Sequence, residues 1–157
     1  MSRIYVPADA AFLEKLKEAG SVALEEPVYL VTEALREAFP DADGEDLEYT
    51  AFAEAAGVSA GMATAERPRR VVVSADLPDK FLEEIPGTAA AEASGSVKLA
   101  KVAAIHVDDD EAAGAVKEGI EKGSLDPEGL ESLVMDWYHP SELDSVLEIF
   151  ALGISRP

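Results

Sequence analysis

Asp76, His106, Asp108, Asp109 and Asp110 are the residues whose types and spacing could do chemistry. The stretch Val102-Ala-Ala-Ile-His-Val-Asp-Asp-Asp110 reads as a short apolar strand ending in a histidine and three aspartates, ahead of an alanine-rich helical pattern. Alternate residues of a strand share a face, so His106 and Asp108 point the same way. Asp76, which ends Val71-Val-Val-Ser-Ala-Asp76, joins them if its strand is the neighbour. Carboxylates with one imidazole suit a hard cation such as magnesium or manganese, with Asp76, Asp108 and Asp109 as ligands and His106 as catalytic acid or base. Helix physics alone also accounts for the run. Asp108 caps the helix in a capping-box variant with Glu111, Asp109 and Asp110 complement its dipole, and His106 is a satisfied core or rim residue. That plainer account is preferred, so no metal or cofactor is expected, with magnesium or manganese the alternative.

A second cluster is aromatic: Tyr5, Tyr29, Tyr49, Phe52, Trp137, Tyr138 and His139. Trp137 is the sole tryptophan, and with Tyr138, His139 and Tyr5 it is a candidate lining for a ligand pocket or partner patch. The simpler expectation is that Trp137 closes one end of the core with its N–H bonded to a carbonyl. Arg67, Arg69 and Arg70 form the basic cluster and are expected to pair with carboxylates of the chain. A glycine-rich phosphate loop, a G-x-S-x-G elbow, HExxH and EF-hand spacing are all absent, and two histidines leave little material for a serine or zinc hydrolase.

Composition narrows the partners. A chain of 157 residues, 48% hydrophobic, is the size of one ordinary domain with a real core. Thirty-two acidic residues against 13 basic give a formal charge of −19, which repels phosphate backbones and anionic headgroups. Nucleic acid and membrane surfaces are therefore poor partners, and an unknown protein or small molecule is the expected one. The charge itself suits solubility or a high-salt or acid-rich proteome. The absence of cysteine excludes disulfides and thiol chemistry and suits a cytoplasmic protein. No apolar signal core is present, and no apolar run approaches the roughly 20 residues of a spanning helix.

These candidates need elements to position them. Arg3-Ile-Tyr-Val-Pro7 is a strand by its β-branched and aromatic content, followed by a helix capped at Asp9 and stopped at Gly20. Pro27-Val-Tyr-Leu-Val31 is a second strand, with Thr32 capping a helix that ends at Pro40. Leu47, Ala51, Ala55, Val58 and Met62 share the face of a long alanine-rich helix, in which Gly57 and Gly61 mark close contacts or a fraying end. Val71 to Asp76 reads as a central strand, and residues 77–97 resist assignment beyond an edge strand or irregular chain at Thr88 to Ala93. The helix after Asp110 stops at Gly123, another starts at Asp126-Pro127, Trp137 to Pro140 ends it, and a last helix from about Ser141 buries Leu143, Val146, Leu147 and Phe150. The alternation points to an α/β (or α+β) fold. It predicts a single-layer mixed, mainly parallel sheet of about four to six strands covered by helices, in one globular domain over residues 1–157 with a frayed 153–157 tail. Parallel strands ending at Pro7, Asp76 and Asp108 would share one ligand-binding edge.

Arg3-Ile-Tyr-Val-Pro7, Val31-Thr-Glu-Ala-Leu-Arg36, Leu47-Glu-Tyr49, Arg69 to Asp76, His106-Val-Asp-Asp109, Trp137-Tyr138 and Glu142-Leu143 resemble, in that order, a family of short acidic actinobacterial proteins. The likeness spans nearly the whole chain. That family carries a label of unknown function, so the resemblance implies a bacterial, cytoplasmic, stand-alone domain and no activity. Two functional expectations follow from the residues. The first is a non-enzymatic binding or interaction domain that holds a protein or small ligand through the aromatic cluster and the acidic sheet edge. The second is a divalent-metal-dependent enzyme acting on a small anionic, phosphorylated substrate. They separate on whether Asp76, His106 and Asp108 converge.

Overall fold

The computed structural model describes residues 1–125, 129–130 and 133–152. The helix expected to start at Asp126-Pro127 and the expected frayed tail lie outside them. In chain order the elements are β1 (Ser2–Ala8), α1 (Ala10–Ala19), β2 (Ser21–Ala23), β3 (Val28–Tyr29), α2 (Glu33–Ala38), α3 (Gly44–Met62), β4 (Val71–Leu77), β5 (Leu82–Glu84), β6 (Ala90–Ala93), β7 (Ser96–Lys98), β8 (Val102–Asp108), α4 (Asp110–Lys122), β9 (Met135–Tyr138) and α5 (Leu143–Leu152). Helix starts follow local chemistry. The side chains of Asp9, Thr32, Asp43 and Asp109 each accept the backbone N–H three residues on. Gly20 (φ 75°) and Gly123 (φ 69°) close α1 and α4 in the left-handed conformation that a side chain disfavours.

The fold is mixed α/β, but the sheet is not the mainly parallel one expected. Seven strands lie in the order β5-β6-β3-β1-β4-β8-β9, and every neighbouring pair is antiparallel. β2 and β7 form a separate antiparallel pair. The physical reason is adjacency. The helical connection from β3 through α2 and α3 to β4 does join strands of like direction, since both run opposite to β1. β1 itself lies between them. Alternation of strands and helices along the chain specifies direction across a crossover, not which strand fills the gap. β5 and β6 come from the 77–97 stretch, where Leu-Glu-Glu and Ala-Ala-Glu-Ala have little intrinsic strand preference and are held by pairing, and β6, expected as an edge strand or irregular chain, lies inside the sheet. β9 is a strand where Trp137 to Pro140 was expected to end a helix, because Met135 to Tyr138 pair with β8.

The two sheet faces are covered differently. On one, Ile4, Val6, Val71, Val73, Ile105 and Val107 pack with Leu13 and Leu16 of α1 and Leu143 and Val146 of α5. On the other, Tyr5 and Val72 meet Phe52, Ala55 and Ala56 of α3. Of the face expected for α3, Leu47, Ala51 and Ala55 are buried, whereas Val58 and Met62 are exposed. The buried Ser59 fastens α3 to the sheet: its hydroxyl donates to the Ala8 carbonyl (2.7 Å) and accepts the Val71 N–H (2.8 Å). Gly57 and Gly61 mark no close contact, because a Cβ on either would meet nothing within 4 Å.

Gly57→Ala should therefore raise the unfolding free energy, by up to about 1 kcal/mol from helix propensity. Gly119→Ala, in α4, should lower it despite the same gain. Its Cβ would lie 2.8 Å from Leu125 Cδ2 and 3.2 Å from the Ser124 carbonyl, part of the chain reversal closing the helix. Urea unfolding of both variants checks the pair of signs.

Candidate functional site

The antiparallel pairing of β4 with β8 decides which candidates meet. Val71 lies opposite Val107, so the carboxyl end of β8 meets the start of β4, and Asp76 lies at the other end of its strand, opposite Arg3. Asp76 accepts a 2.9 Å hydrogen bond from Arg3 Nε at the surface. Asp108 is 2% exposed and bound to Arg70 instead. Its Oδ2 accepts the Arg70 backbone N–H at 2.8 Å, and its carboxylate accepts Nη2 at 2.7 Å and Nε at 3.0 Å. Arg70 Nη1 continues to the Leu130 carbonyl (3.2 Å), and Arg69 donates to the Asp108 carbonyl and to Asp110. Arg67 pairs with Glu14 at 2.6 Å. Burial pushes the Asp108 carboxyl above its ordinary value even against the Arg70 guanidinium. The α4 cap expected at Asp108 is Asp109, since Asp108 is the last residue of β8 and is held by Arg70. Among the described residues no cluster of three or more histidine or acidic side chains is placed to hold a metal.

His106 belongs to a different constellation, on the α3 face of the sheet. It lies between Val72 of β4 and Trp137 of β9 in the ladder, and its Nε2 is 2.7 Å from Ser74 Oγ. Phe52 and Trp137 pack edge-on to its ring, with centroids at 4.8 and 5.3 Å. The residue is 4% exposed, and among the described residues its Nδ1 has no hydrogen-bond partner. Desolvation lowers its pKa from 6.5 to about 4, so the imidazole is neutral at pH 7. Tyr5 continues the cluster through Phe52 (6.0 Å, edge-on), and its hydroxyl donates to Glu48 Oε2 at 2.5 Å. Burial and that carboxylate raise the Tyr5 pKa.

These residues line one side of an open groove. His106 and Tyr5 belong to the sheet side, Tyr49, Phe52 and Gly57 to α3, and Leu133 to Met135 with Trp137 form the facing wall. Trp137 does not close the core: it is 77% exposed, because its strand is the last of the sheet and α3 does not reach over it. The expected aromatic set divides by strand alternation. Trp137 and Tyr5 line the groove, while Tyr138 packs against the core of the opposite face. His139 caps the turn into α5, its Nδ1 accepting the Ser141 N–H at 3.1 Å while Glu142 accepts the His139 N–H at 2.8 Å. Ser74, Glu48 and the Leu133–Val134 wall escaped the sequence reasoning. The one available signal was a hydroxyl inside the apolar run Val71-Val-Val-Ser-Ala75, which demands a buried partner.

A family model described as a family of unknown function, DUF6912, matches residues 2–147. No curated protein and no solved structure matches the chain. Among the described residues no helix is long and apolar enough to cross a membrane.

Two outcomes follow from the geometry. Arg70→Leu should cost about 3–5 kcal/mol, because it leaves a buried carboxylate without its cation, and adding Asp108→Leu should recover part of that loss. A double variant no more stable than the single one in urea would assign the effect to the Leu130 contact rather than to the ion pair. For His106 the folded pKa lies below the unfolded value, so its contribution to stability is complete above pH 6.5 and is lost as pH falls from 6.5 towards 4. The stability difference between wild type and His106→Gln should shrink by about 3 kcal/mol across that window. A pH-independent difference would mean that the imidazole is solvated.

Proposed function

The chain belongs to that family of unknown function, a premise from which no activity follows, and we propose that it is a non-enzymatic binding domain whose groove between α3 and the β8–β9 edge takes a small, largely apolar ligand. The observation that carries this is the groove's aromatic and apolar lining, in which Trp137, on the last strand of the sheet, stands exposed beside His106. The walls support the same reading. Tyr49, Val134 and Trp137 are 62, 59 and 77% exposed and all border the groove, an apolar concentration beyond scattered surface hydrophobics. Binding is favoured over catalysis because the other buried polar groups beside the groove are spent on one another, Arg70 on Asp108 and Ser74 on His106.

Trp137, as the sole tryptophan, reports on occupancy through its fluorescence. Titration with benzyl alcohol, a neutral aromatic probe, should give a saturable change in Trp137 emission and NMR shifts confined to Tyr49, Phe52, His106 and Trp137. Gly57→Leu should abolish that response without unfolding the protein, since it projects a side chain into the groove from a position with no neighbour within 4 Å. No saturable response in the wild type, or an undiminished one in Gly57→Leu, would sink the reading.

A further inference from the structure

We propose that the groove's ligand is a protonated amine on an apolar body. The inference rests on the binding reading above and adds the sign of the ligand's charge. Glu45, Glu48 and Glu54 of α3 border the groove. Glu48 is engaged by the Tyr5 hydroxyl, and among the described residues Glu45 and Glu54 have no ion-pair partner. Arg70, the one cationic side chain lining the groove among the described residues, is directed to Asp108, 2.7 Å away, and is 3% exposed. Among those residues the groove is thus acidic with no free counter-charge of its own, in a chain whose net charge is already −19.

The apolar walls fit the same charge. Tyr49, Phe52 and Trp137 present aromatic rings, and a cation on a ring face gains about two- to fivefold in affinity per exposed contact. His106 lies between Phe52 and Trp137 as a neutral imidazole and adds no positive charge to the groove. An anionic ligand would meet three carboxylates and no available donor cation.

The test compares benzylammonium, benzyl alcohol and benzoate at pH 7.5 and constant ionic strength, followed by Trp137 emission and by ¹H–¹⁵N NMR. Benzylammonium should bind at least about tenfold more tightly than benzyl alcohol, and benzoate should not bind. The double variant Glu45→Gln, Glu54→Gln should reduce the preference for ammonium over alcohol, leaving the part owed to the aromatic walls. The double variant Glu83→Gln, Glu92→Gln, with the same change in net charge on β5 and β6 at the far edge of the sheet, should preserve it. In NMR, Trp137→Leu should weaken benzylammonium more than benzyl alcohol. Equal affinities for alcohol and ammonium would overturn the charge assignment and leave the binding reading standing. No response to any of the three would remove both. Equal loss in the two double variants would trace the preference to the overall field of an acidic chain and overturn the proposal.

Discussion

The buried Arg70–Asp108 pair is the constraint on which the rest of the structure depends. It sits where β4 begins and β8 ends, and its bonds reach three segments: the Arg70 backbone, the Asp108 carboxylate and the Leu130 carbonyl. Two ions in a low-dielectric site tolerate no slip, because a shift of one residue would leave a buried charge uncompensated. The return bond from the Asp108 N–H to the Arg70 carbonyl closes the register from the other side. Once β4 and β8 are locked there, His106 must fall opposite Val72 and within reach of Ser74. Asp109, the next residue, is then free to cap α4. The ion pair, the buried imidazole and the helix start are consequences of one register.

The groove follows from widths. Strands lie about 4.8 Å apart and a helix with side chains is about 10 Å across, so one helix covers roughly two strands. α3 takes the positions over β1 and β4, where Ala55 and Ala56 let it approach Val72 closely. Its Phe52 reaches as far as His106 on β8. Beyond that, among the described residues, Trp137 of β9 remains in solvent. On the opposite face α1 and α5 share the sheet, and Tyr138 finds a core to join. Two adjacent aromatic residues on one strand thus have opposite environments, because alternation turns Tyr138 to the covered core and Trp137 to the open side of the other face.

Local features of this fold were legible in the sequence. Asp9, Thr32, Gly20 and Gly123 act within a turn of their own position, and the strands at Arg3, Val71 and Val102 carry their apolar character with them. What depended on partners was hidden. The sheet's antiparallel order turns on β1 entering between β3 and β4, a choice made by distant segments. The α4 cap was displaced by one residue because three identical side chains, Asp108 to Asp110, differ only in that Arg70 claims the first. The same order separates Asp76 from Asp108, which a parallel sheet would have brought to one edge. Of the aromatic cluster, Tyr5 and Trp137 both line the groove, but Tyr138 and His139 serve the core and a cap, since alternation and capping depend on where β9 stops.

An open groove with an exposed tryptophan on the last strand of a sheet is ordinarily a liability, because the unpaired edge of β9 and its apolar neighbours offer a template to a second copy. The opposite edge, β5, is protected by exposed Glu83 and Glu84, whereas β9 carries Asp136 alone. Charge distributed over the whole molecule can do what the strand does not: two chains at −19 repel before their edges meet, and the carboxylates of α3 bring that repulsion to the mouth of the groove. On the proposed reading the same acidity also discriminates among occupants: it raises the barrier to another acidic chain and to anions while lowering it for a cation, the sign that the acids and aromatic walls described at the groove also favour. An apolar groove and a net charge far from zero are then parts of one arrangement, in which the second makes the first tolerable.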